Sequence, residues 1–129
     1  MKNQTFTGRI KKYVDAEIDQ ASSLLKLNDL DGAFRHLERA HVLGQAVTVE
    51  HARVHWLMLK IGLKRKDARE VLGQLFRIVG ASTKTPFGIY PAGNTGGARV
   101  SPFKSMPIAD DLREIIENSK SPANDSPII

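Results

Sequence analysis

Between about Thr7 and Val79 the chain returns apolar side chains every three or four residues through four successive segments. A strand cannot use that period, because its faces alternate every two residues, so each segment is expected to be a helix. The first, about Thr7 to Leu27, carries Ile10, Val14, Ile18, Ala21, Leu24 and Leu25 with lysines and acids between them. NDLDG follows and supplies helix-start chemistry, since short Asn and Asp side chains accept from free amides. The second, about Leu30 to Leu43, presents Leu30, Ala33, Phe34, Leu37, Ala40 and His41. Gly44 suits a left-handed position just past a helix end, and GQA is expected to reverse the chain. The third, about Val47 to Leu63, is apolar around most of its circumference, with Val49, Ala52, Trp56, Leu59 and Leu63 on one side and Val54, Leu57 and Ile61 on another. That pattern predicts a central helix buried on more than one face. The fourth, about Asp67 to Val79, uses Ala68, Val71, Leu72, Leu75 and Ile78, with Gly80 expected to close it.

Residues 81–108 break the pattern. They hold four of the six prolines, four of the ten glycines and no acid, so they read as an irregular arm. Phe87, Ile89, Tyr90, Val100, Phe103 and Met106 are its candidate anchors to the helices. A short helix over about 109–118 and a flexible tail over 121–129 complete the chain. At 129 residues and 41% apolar composition one core is affordable. The expectation is one all-α domain over 1–120, made of two stacked antiparallel helical hairpins, the arm and a short C-terminal helix.

Several chemistries are excluded or disfavoured. The chain has no cysteine, which removes disulfides, thiolate metal sites and thiol catalysis. The opening MKNQTFTGRIKKYVDAE lacks the apolar core of a secretory signal, and no run approaches the roughly 18 apolar residues of a membrane span. A cytoplasmic location is therefore expected. A net charge of +5 makes contact with anions conceivable, but the basic residues are scattered and the aromatics too few to serve as base-stacking platforms, so nucleic acid is not the expected partner.

All four histidines fall within HLERAHVLGQAVTVEHARVH. His51 and His55 stand four apart on the third helix and share a face, which Met58 continues. Folding the second helix back along the third brings His41 level with Glu50 or His51, and His36 level with His55. Two imidazoles at i and i+4 can converge on a metal. His41 is the best third ligand, with His36, Glu38 and Met58 as supplementary candidates. Imidazole with carboxylate suits Zn, Ni, Cu or Fe, and the Met58 thioether would favour copper. The opposing reading makes the histidines structural, because His36 and His41 lie roughly 140° apart around a helix and a buried imidazole can simply be hydrogen-bonded. HxxxH without the glutamate of HExxH offers no positioned base, and no nucleophile is identifiable.

NDLDGAFRHLERAHVLGQ resembles the second half of a tetratricopeptide repeat through Ala33, Leu37 and Ala40, and KIGLKRKDAREVLGQLFRIVG has a similar outline through Ala68. The Trp, Leu-Gly and Tyr pattern of that repeat's first helix is missing. Over nearly its whole length, through HLERAHVLGQ, HxxxHWLML and YPAGNTGGARVSPFKSMPI, the chain resembles a small bacterial family known only as a domain of unknown function. That resemblance implies no established activity; it implies proximity to heavy-metal-resistance genes, which raises the metal reading without assigning ligands. It points to His36, His41, His51 and His55 and to the arm from Tyr90 to Ile108.

Three function classes follow. The leading one is a non-enzymatic metal-binding or heavy-metal-resistance accessory protein. The alternative is a tetratricopeptide-like interaction module that holds a protein partner in a helical groove. The third is an enzyme acting on a small anion through the histidines and GNTGG. GNTGG itself is expected to be a tight turn, with two further roles open: an anion nest near Arg99, or a strap across the histidine hairpin.

Overall fold

Each of the first four apolar-periodic segments becomes one helix in the computed structural model, which describes residues 5–88, 91–98, 100–101 and 104–121. These are α1 (Phe6–Lys26), α2 (Leu30–Gly44), α3 (Thr48–Lys64) and α4 (Ala68–Lys84); a 3-10 turn, Thr85–Phe87, leads into the arm, and α5 spans Asp110–Ser119. The described residues include no strand. Helices α1 and α2 form one hairpin, α3 and α4 a second, and α2 against α3 joins the two. The tail expected over 121–129 lies outside the described residues except for Ser121.

The two hairpins turn by the same local chemistry. Asn28 (φ 58°) and Lys66 (φ 55°) adopt the left-handed conformation, and an aspartate follows each. Asp29 accepts from the Gly32 amide and Asp67 from the Glu70 amide, so each second helix starts with a satisfied amide. Gly44 does not play the expected left-handed part: it is the last residue of α2, and the next residue stays right-handed. What calls for glycine there is packing, since a Cβ would stand 2.9 Å from the Glu50 Cβ and 3.4 Å from the Val14 Cγ2.

The core is built from Ile10, Val14 and Ala21 of α1, Leu37, Ala40 and Leu43 of α2, Val54, Met58 and Ile61 of α3, and Leu112 of α5. Helix α5 packs on α1 and α2, and the buried Arg9 donates from Nε to the Ser119 carbonyl at 2.6 Å, fastening its end.

Three expectations need correction. Helix α4 runs past Gly80 to Lys84. Ser82 and Thr83 tie their hydroxyls back to carbonyls of the preceding turn, and the helix stops where Pro86 has no N–H to offer. Helix α3 is buried on one side only: Val49, Trp56 and Leu63 are exposed, while Glu50, His51, His55 and Met58 turn inward with Val54 and Ile61. In α4 the outcome is reversed. Leu72, Leu75, Phe76 and Val79 face solvent, and Glu70, Gln74, Arg77 and Ala81 are buried. His55, Gln74 and Glu70 satisfy one another in a run of hydrogen bonds, which is what permits their burial. In the arm, Phe87 is 79% exposed and anchors nothing to the helices; Ile89, Tyr90 and Phe103 lie outside the described residues.

Asp29→Ala and Asp67→Ala should each lower stability by about 1 kcal/mol, read as a lower urea midpoint at unchanged slope. A midpoint unmoved in both would show that the hairpins do not depend on these caps.

Candidate metal centre

Helix α3 places His51 and His55 one turn apart on its inward face, and the last turn of α2 places His41 against them. All three are buried. The ring centroids of His41 lie 4.8 Å from those of His51 and 4.5 Å from those of His55, and His51 and His55 are 4.9 Å apart. One ligand atom from each ring can be chosen so that all lie within 4.8 Å of one another. The rung expected between His41 and His51 is present, and His55 reaches the same point from the next turn.

What each ring does with its other nitrogen decides the chemistry. His41 Nδ1 is 2.6 Å from the Asn94 carbonyl oxygen. A carbonyl only accepts, so Nδ1 carries the proton. His55 Nδ1 is 2.6 Å from the Gln74 side-chain oxygen. That amide cannot be turned over, because its nitrogen donates to Glu70 Oε1 at 2.7 Å and to the Gly96 carbonyl at 2.9 Å; His55 therefore also holds its proton on Nδ1. His51 Nδ1 pairs with the Thr85 hydroxyl at 2.7 Å.

With both protons so placed, the Nε2 atoms of His41 and His55 face each other at 3.0 Å, and in the neutral rings each presents a lone pair. Such a pair is satisfied by one proton or one cation shared between the two nitrogens. The proton is disfavoured at neutral pH. Burial, then the neighbouring His55 and His51 rings, push His41 well below the ordinary histidine range. Burial takes His51 from 6.5 to about 4, and burial with the His51 and Arg77 charges takes His55 to about 3. A metal ion answers the same deficit without a proton. Bonds of about 2.0–2.1 Å in a tetrahedral site separate ligand nitrogens by roughly 3.3 Å, close to the 3.0 Å between the His41 and His55 nitrogens, with the His51 ligand atom within 4.8 Å of both.

The arm closes over this cluster as a strap. The Asn94 side-chain nitrogen donates to the Ser101 and Lys104 carbonyls, its oxygen accepts from the Gly96 amide, and Gln45 reaches the Pro91 carbonyl. Gly96 (φ 86°) passes so near that a Cβ would stand 2.6 Å from the His41 ring. GNTGG is thus a turn whose polar groups go to the arm, to His41 and to Gln74, and Arg99 lies outside the described residues.

His36 and Glu38 are not in the cluster. His36 Nδ1 lies 2.7 Å from Glu17 Oε2, in an ion-pair group shared with Arg39. It points to α1 because five residues on a helix turn it well away from His41. Glu38 lines a separate cavity of about 300 Å³ with Asp31, Arg65 and Thr95, where burial raises its carboxyl and a Thr95 hydrogen bond opposes that. Met58 is fully buried, its sulfur 3.5 Å from the Gln74 nitrogen. Sequence reasoning missed Gln74, Glu70, Thr85 and Asn94. The available signal was the stripe Glu70, Gln74, Arg77 at helical spacing, which reads as a solvated face unless something polar is known to lie opposite.

The chain belongs to the family described as Protein of unknown function (DUF3703), whose model matches residues 8–116. That range takes in all four histidines and the strap. No curated protein and no solved structure matches the chain.

The buried neutral rings make stability depend on pH. From about pH 6.5 down towards 4 the unfolded chain binds protons that the folded chain refuses. Stability of the metal-free protein should therefore fall with pH across that window, by up to about 1.4 kcal/mol per pH unit for each histidine. Urea unfolding in chelator at pH 7 and pH 5 checks this; equal midpoints would mean the rings are not held neutral.

Proposed function

We propose that this DUF3703 member is a non-enzymatic metal-binding protein, a cytoplasmic accessory to heavy-metal resistance, in which His41, His51 and His55 hold one divalent transition ion. The observation that carries the reading is the facing pair of Nε2 lone pairs, fixed by acceptors at both Nδ1 atoms. Oriented imidazoles backed by a carbonyl, an amide oxygen and a hydroxyl have the arrangement of metal ligands with their supporting hydrogen bonds. Three imidazoles suit Zn(II), Ni(II), Cu(II) or Fe(II). His36, Glu38 and Met58 contribute no ligand in this reading. The exposed apolar residues Leu72, Leu75, Phe76 and Val79 of α4 favour a second role, as a tetratricopeptide-like surface for a protein partner. Such a role is compatible with a metal centre beneath it.

Metal analysis of the full chain after loading with zinc should give one ion per chain, and the ion should stabilise the fold by about 2.7 kcal/mol at a hundredfold excess over Kd. His51→Ala with His55→Ala should abolish uptake, whereas His36→Ala should leave it unchanged. Full stoichiometry and affinity in the double variant would remove this site.

Gln74→Leu tests the supporting hydrogen bond separately. It frees the His55 ring and should weaken zinc binding by about 10- to 100-fold without changing the stoichiometry. Unaltered affinity, measured by competition with a coloured chelator, would show that the ring needs no orienting.

A further inference from the structure

The three histidines form part of the wall of a cavity of about 460 Å³, whose lining also includes Arg77, Phe76, Val79 and Lys84. A bare ion needs far less room, and the volume lies within the range of small-molecule sites. None of the described residues lining it is acidic.

Arg77 is the unusual member. Only 8% of it is exposed. It donates from Nη1 to the Gly73 carbonyl at 3.2 Å and from Nη2 to the Val100 carbonyl at 2.6 Å, while its buried Nε has no hydrogen-bond partner. Both partners are neutral. Burial disfavours the Arg77 charge and the nearby Glu70 carboxylate favours it, while the Glu70 oxygens accept from the Gln74 side chain and the Ala98 amide. A guanidinium stays charged in proteins, and a buried charge calls for a counter-charge. A divalent ion on three neutral imidazoles would add two more positive charges to the same space. It would also have a fourth tetrahedral position to fill.

We infer that the cavity takes a small organic oxyanion, a carboxylate or phosphate head group on an apolar body, with the head group held between the metal and Arg77 and the body against Phe76 and Val79. This rests on the metal reading above. The head group fills the open coordination position and sets a negative charge beside the Arg77 guanidinium in one contact. The apolar wall gives the body its place and distinguishes such a ligand from an inorganic ion.

Cobalt(II) in place of zinc makes the test visible, because its absorption bands report the ligands around it. Titrating the cobalt-loaded full chain with benzoate should shift those bands saturably, and phenyl phosphate in a parallel titration decides between the two head groups. Benzoate should bind about tenfold more tightly than acetate, since only benzoate buries a ring. Arg77→Gln should weaken benzoate about tenfold or more while cobalt affinity stays within about twofold, and Arg77→Lys should recover part of the loss. Bands unmoved by every anion would overturn the inference even if the glutamine variant failed to fold. So would inorganic phosphate binding more tightly than benzoate and phenyl phosphate, or wild-type benzoate affinity in a folded Arg77→Gln. A chain that takes up no cobalt would instead overturn the metal reading, and the inference with it.

Discussion

Two imidazole nitrogens held 3.0 Å apart, each with its only proton committed elsewhere, form the constraint around which the middle of this protein is arranged. Left alone, two lone pairs at that distance repel and the rings would turn. They do not turn because each Nδ1 is gripped by an acceptor that cannot reverse its role: the Asn94 carbonyl by its nature, the Gln74 oxygen because Glu70 and Gly96 hold the other end of that amide. Orientation thus comes from outside the three-histidine cluster, from α4 and from the strap.

That requirement explains the unusual placement of α4. A helix with Leu72, Leu75, Phe76 and Val79 on one face would ordinarily bury that face, since each such side chain gains about 1.5–3 kcal/mol on full burial. Here the opposite face goes inward. Glu70 and Gln74 are satisfied by the histidines, by each other and by the arm, so their burial leaves few polar groups unmatched. The leucines and Phe76 are left outside, as are Trp56 and Leu63 of α3. An apolar exterior over a polar interior is expensive for stability and is the kind of compromise a functional centre imposes.

The strap belongs to the same arrangement. Gly93 and Gly96 adopt positive φ, Asn94 joins three parts of the segment, and the Gly96 carbonyl completes the Gln74 amide. It covers one side of the histidines, while the cavity beside Arg77 leaves another side lined by apolar and cationic groups. A cluster covered on one side and pocketed on the other can select what reaches the three histidines.

The helices, their boundaries to within a turn except at the end of α4, and the capped start of α2 were legible in the sequence, because a 3.6-residue apolar period and local capping are properties of short stretches. So was the pairing of His51 with His55, which one helix fixes by itself, and the approach of His41, which follows from folding neighbouring helices together. Helix periodicity could not say which of two competing faces of α3 and α4 would be buried, since Val49 and Trp56 made as good a stripe as Val54 and Ile61. Nor could it place His36, whose partner Glu17 sits on another helix. Only the tertiary structure decided those matters, bringing Gln74 and Asn94 to the histidines across 19 and 53 residues of chain. Burial of a polar face is favourable only when the complementary polar groups are already opposite, and that complementarity belongs to the packed molecule.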